Sequence, residues 1–96
     1  MFRVIDTIRC DETTVQSSPD LMPRLGRGLL VILDPAQVSS AAVQQGATVR
    51  VHRPDGDSFD RVVSAVEVRH AVVGLFFRDM EQHEIPRLSE IELLMV

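Results

Sequence analysis

Three histidines, one cysteine and a small cluster of carboxylates are the residues of this chain whose types could do chemistry. His52, His70 and His83, with Glu67 or Glu84, supply the donor types of a metal site. His52 and His70 fall near the ends of segments expected to be adjacent strands, which would let the two rings approach. Neither a Cys-x-x-Cys nor a His-Glu-x-x-His spacing is present, however, and the three histidines read as solvated surface groups. Cys10 stands beside Asp11 and Glu12, and neighbouring negative charge raises a thiol pKa and argues against a nucleophile. Asp55, Asp57 and Asp60 surround Gly56 with the spacing of a turn rather than of a calcium loop. No paired nucleophile and base emerges, so the residues imply no enzyme, no metal and no cofactor.

Charge narrows the partners. All ten basic residues are arginine, and the chain carries a formal net charge of −4. Arginine offers a planar fork matched to carboxylates and phosphates. From Asp79 onward there are five acids against one base, Arg87. Nucleic-acid binders usually show the opposite balance, because phosphate neutralisation supplies most of their affinity. A protein partner is therefore expected before an RNA.

These residues must be positioned by short strands. The 96 residues suffice for one domain, 1–96, with 45% hydrophobic and 25% charged residues in an ordinary globular balance. A single cysteine cannot form an internal disulfide, which suits a reducing cytoplasm. The start of the chain, with Asp6 close to Met1, does not read as a signal peptide. The apolar run Leu29 to Leu33 is far too short to span a membrane.

Phe2, Val4 and Asp6 alternate with Arg3, Ile5 and Thr7 as a first strand. Residues 10–27 are irregular, with Pro19 and Pro23 excluding a long helix. Leu29 to Leu33 reads as a buried strand ending at Asp34-Pro35, while Ala36 to Gln45 fits either helix or loop. Thr48 to Arg53 alternates with Val49 and Val51 inward, and Pro54-Asp55-Gly56-Asp57 is a hairpin turn. Phe59 to His70 returns as one strand with Val62, Val66 and Val68 on the core face. Val72 to Phe77 and Ile91 to Val96 complete about six strands. In Phe76-Phe77 the two rings must point to opposite faces: one into the core, the other covered by the Glu81 to Pro86 turn or exposed for docking. Six short strands with regular turns imply an all-β, mainly antiparallel closed barrel, whose closure removes exposed edges.

The order of these segments resembles the second, β-barrel domain of translational GTPases such as elongation factor Tu. The similarity runs through Gly26-Arg27-Gly28 before an apolar strand, Gly46 before Val49 and Val51, and Val63-Ser64-Ala65-Val66-Glu67. It ends in Gly74-Leu75-Phe76-Phe77-Arg78, followed by Glu84-Ile85. The resemblance implies a barrel without its motor: the chain has no lysine, so the lysine of a nucleotide phosphate loop is missing. Where the family holds the aminoacylated end of transfer RNA it places two glycines and a basic residue, and here those positions read Asp79, Leu88 and Gln82. What the resemblance leaves is an outer face near Arg27, Phe77 and Arg78, with Glu84 and Arg87 as further contact candidates. The expected function is a non-catalytic binding module, a protein-interaction or regulatory domain. The alternative is an RNA- or ribosome-associated accessory domain using the same face.

Overall fold

The computed structural model describes residues 1–10, 27–36 and 43–95. The proline-containing stretch, Gly26 and most of the ambiguous Ala36 to Gln45 segment lie outside the described residues. Seven strands form one antiparallel sheet: β1 (Phe2–Cys10), β2 (Gly28–Leu33), β3 (Thr48–His52), β4 (Ser58–Val62), β5 (Ala65–Arg69), β6 (Val72–Arg78) and β7 (Glu90–Met95). Their order across the sheet is β4-β3-β7-β1-β2-β6-β5. No ladder joins β4 to β5, so the sheet is not closed. A short 3₁₀ turn, Gln82–Glu84, precedes β7. Among the described residues no helix is long and apolar enough to cross a membrane.

Seven strands replace the expected six because the Phe59 to His70 segment divides. Val63 N donates to Ala47 O at 2.9 Å, continuing the β3–β4 ladder. The very next amide, Ser64 N, donates to Phe76 O at 2.8 Å, on the β6 side. The side-chain phase slips at the same point. Phe59 and Arg61 stand opposite Val51 and Val49 on the core face, whereas beyond the break Val66 and Val68 stand opposite Leu75 and Val73. Val62 is consequently not a core residue: it lies 58% exposed, and the buried side chain is Val63. Val68, near the far end of β5, is 43% exposed, and Val66 packs half-buried against the core. A slip of one residue is enough to exchange the two faces of a strand.

A bulge makes a second correction. Val4 pairs with Leu33 but Asp6 with Ile32, so Ile5 is the extra residue. Val4 and Thr7 both turn inward while Asp6 is exposed, in place of the simple alternation. The bulge sits where β1 exchanges neighbours, with Phe2 and Arg3 paired to β7 and the residues beyond it paired only to β2. Its carbonyls are satisfied from outside the ladder: Leu88 N donates to Val4 O at 3.0 Å and Arg87 Nε to Ile5 O at 3.1 Å.

The core draws on every strand except β4 and β5 with fully buried side chains, including Val4, Leu29, Val31, Val49, Leu75, Phe77 and Ile91. Val43, Val63, Met80 and Ile85 fill it from the connections. On the opposite face, Cys10, Leu30 and Phe76 form a second buried cluster. Both phenylalanines of the β6 pair are thus covered, and Phe77 belongs to the main core.

The tightest approach in the fold is at Gly28. A Cβ there would lie 2.3 Å from Phe77 O and 2.8 Å from the Phe76 ring. The glycine therefore lets β2 and β6 pair while Phe76 folds over the junction. Gly28→Val should cost about 3 kcal/mol or more, the upper end of what forced overpacking costs. Urea unfolding of the variant checks this, and an unchanged midpoint would remove the close approach from the account.

Candidate functional site

Arg27 and Arg78 lie at the paired ends of β2 and β6. Gly28 stands opposite Arg78, and Asp79 N donates to Arg27 O at 3.0 Å, so the ladder reaches one pair further. Both arginines are exposed, and neither guanidinium makes a hydrogen bond or ion pair among the described residues. The other described arginine side chains are all engaged. Arg50 forks onto Asp60, Arg53 and Arg61 serve Glu84, Arg87 holds Ile5 O, and Arg3 and Arg9 each have a partner. Two exposed guanidiniums without a partner among the described residues, at neighbouring strand ends of an acidic protein, are a clear chemical feature of its surface.

Each of the two borders a different concavity. Arg27 lines a groove of about 400 Å³ between the ends of β1, β2 and β6, together with Arg9, Cys10, Asp79, Met80 and Glu81. Arg78 lines one of about 300 Å³ beside the strand break, with Gln45, Ser64, Ala65, Val66 and Phe76. The Arg78 amide donates to Ser64 Oγ at 3.1 Å, which fixes the backbone that carries the free guanidinium. Alternation explains the split: Arg78 follows Phe77 and so shares the outer face with Phe76.

The other expected contact residues have structural duties. Phe77 is 1% exposed and cannot dock anything from an outer face. Glu84 is half-buried: its Oε2 accepts from Glu81 N at 2.8 Å and its Oε1 lies 3.6 Å from Arg61 Nη2. Its backbone carbonyl accepts from Arg53 Nε at 2.8 Å. Arg87 is exposed but spends its Nε on the bulge, and it lines neither groove. The structure therefore does not gather Arg27, Arg78 and Arg87 on one surface.

A cluster the sequence did not announce is the stack on Phe59. The guanidinium carbons of Arg53 and Arg61 lie 4.7 and 4.8 Å from its ring centroid. Both cations also reach Glu84, so the stack ties the 3₁₀ turn to β4. Paired cation–π contacts, with Arg53 on the Glu84 carbonyl and Arg61 beside the Glu84 carboxylate, satisfy one another and leave little for a ligand.

The adjacency of strands that would have let His52 and His70 approach each other is not found. His52 closes β3 and His70 follows β5, and β3 and β5 are not neighbours in the sheet. His52 Nε2 instead lies 2.8 Å from Glu92 Oε1. Among the described residues no group of three or more His, Cys, Asp or Glu could hold a metal ion. Cys10 is buried, with its thiol 3.8 Å from Ile8 O.

On the solvent face of β3 and β4, Arg50 Nε donates to Asp60 Oδ1 at 2.8 Å and Arg50 Nη2 to Asp60 Oδ2 at 3.3 Å. This fork lowers the Asp60 pKa, chiefly through the hydrogen bond, and raises that of Arg50. Compared with protein-family models, with curated proteins and with solved structures, the chain matches none of them.

Because Asp60 is more acidic folded than unfolded, its contribution is fully present above the ordinary carboxylate range and is lost as pH falls through its folded value. Asp60→Asn should therefore be less stable than wild type at neutral pH. The gap should close in acid as the wild-type carboxyl takes up its proton. Thermal melts of both proteins across that range test the pair.

Proposed function

We propose that this chain is a non-catalytic binding module of the translation-factor barrel type, acting as a protein-interaction or regulatory domain. The observation that carries the reading is the pair of exposed arginines, Arg27 and Arg78, which have no partner among the described residues while the other described arginine side chains are engaged. Acidic side chains of a protein partner match such forks bidentately. Net charge −4 disfavours a polyanion beyond contact range while leaving short-range pairing to a few carboxylates intact.

Support for the barrel comes from the strand break. Taken as one strand, Ser58 to Arg69 gives its first half to β3 and its second half to β6. The neighbours then run as a ring of six: β3, the Ser58 to Arg69 strand, β6, β2, β1 and β7. Such a ring, were β4 and β5 to act as one strand, would be the closed six-stranded arrangement the resemblance implies. A bulge of the kind found at Ile5 supplies the bend such closure needs. A cytoplasmic setting suits the single, buried cysteine.

The second reading, an accessory domain contacting transfer or ribosomal RNA, draws on the same arginines and on the resemblance. The two readings separate by salt. Two phosphate contacts would give a log–log salt slope of only about −2, too shallow and too weak for tight binding.

Arg27→Ala and Arg78→Ala should each weaken capture of a protein partner about tenfold, as expected for a lost charge-assisted contact. Quantitative pull-down with wild type and the double variant as baits tests this, and identical captured sets would overturn it. Titration with transfer RNA at about 150 mM salt, where surface charges are screened beyond roughly 8 Å, should show no sub-micromolar binding. If such binding appeared and Arg78→Ala abolished it, the RNA reading would take first place.

A further inference from the structure

The sheet ends in β4 on one side and β5 on the other, and among the described residues neither strand has a neighbour beyond it. An unpaired edge presents a row of backbone donors and acceptors, a template for one more strand. At β4 part of that row is already used. Arg53 N donates to Asp57 O and Val63 N to Ala47 O, so by alternation the Asp60 carbonyl points away from β3. Arg61 Nη1 folds back onto that carbonyl at 3.0 Å.

β5 differs in what stands beside it. The groove of about 300 Å³ that Arg78 borders runs by Ser64 and the first residues of β5, Ala65, Val66 and Glu67. Ala65 pairs with Phe76, so the Arg78 side chain, two residues on, leaves the sheet on the same outer face as Ala65. The bond from Arg78 N to Ser64 Oγ sets the arginine level with Ser64, where β5 is about to begin. A strand added to β5 would lie two strand spacings from β6, roughly 10 Å. Ser64 and Ala65 are small, and an extended arginine lying across them, met by a carboxylate from the other side, spans that distance.

Charge selects the occupant. Glu67 also lines the groove, but it has a partner within the molecule, whereas the Arg78 guanidinium has none among the described residues. The groove therefore offers one unanswered positive charge, whose complement is a carboxylate. Direction follows from the sheet, in which every ladder is antiparallel. An antiparallel strand on β5 finishes where β5 starts, so its C-terminal end is the one brought to Arg78.

We infer that the β5 edge takes up an extended segment of a partner protein as a further antiparallel strand, with an acidic side chain at the segment's C-terminal end on Arg78. The inference rests on the reading of the chain as a protein-binding module and names its mode. Backbone pairing supplies the affinity, and Arg78 fixes position and direction.

The probe is a capped peptide of alternating threonine and valine ending in aspartate, titrated into the isotope-labelled full chain and followed by NMR. Saturable shifts are expected at the amides of Ala65 to Arg69 and at Arg78 Nε. The asparagine counterpart, the peptide with its aspartate moved to the N-terminal end, and the Arg78→Ala chain should each give about tenfold weaker binding. Two further peptides carry N-methyl groups on complementary sets of alternate amides. One should lose binding and the other keep it, because only alternate amides of an added strand face its neighbour. Shifts at Arg78 with the β5 amides unmoved, equal binding by the two methylated peptides, or no binding at millimolar peptide would overturn the inference. The titration uses no natural partner, so its failure is distinct from a failure of the capture experiment.

Discussion

Two consecutive amides, Val63 N and Ser64 N, donate in different directions, one to Ala47 just before β3 and the other to Phe76 in β6. The rest of the structure depends on this change of neighbour. It lets one run of chain serve both β3 and β6, and so brings the two margins of the sheet together at one point. It also sets which residues face inward. Val63 is buried at the switch, and the side chains on either side of it follow opposite parity. Without it β4 and β5 would leave the apolar faces of β3 and β6 with no common interior.

The bulge at Ile5 plays the matching part on the far side. Having changed the phase of β1, it leaves backbone carbonyls that the ladder does not use, and the turn before β7 supplies their donors. Arg87 and Leu88 thus donate to the two carbonyls that the bulge frees from the ladder. The same economy applies to Glu84, whose two oxygens and backbone carbonyl are all engaged. Among the described arginine side chains, Arg27 and Arg78 stand out as uncommitted.

Much of the sheet was legible in the sequence. The apolar run of β2, the alternation of β3 and the turn at Pro54 to Asp57 each carry a local signal strong enough to survive in the fold. Gly56 takes φ +98° there, and its amide donates to Arg53 O at 3.0 Å. The faces of Ser58 to Arg69 were not legible, because Val62, Val66 and Val68 keep perfect period-two spacing across a phase slip that only tertiary pairing reveals. The large Phe59 at an odd position was the one hint. For the site, residue type pointed to Arg27 and Arg78. It could not distinguish them from Arg87, Glu84 or Phe77, since engagement and burial depend on partners remote in the chain.

The pairing of β1 with β7 joins Phe2 to Ile91, across almost the whole length of the chain. Contacts so remote are slow to form, because the loop they close must be ordered first. During synthesis β1 can fold onto β2 early, yet the margin that β7 will occupy stays uncovered until β7 itself leaves the ribosome. A truncation before Glu90 would leave that margin permanently open, beside a Val4 whose burial depends on it. The chain is thus most prone to aggregation in the interval before β7 is in place.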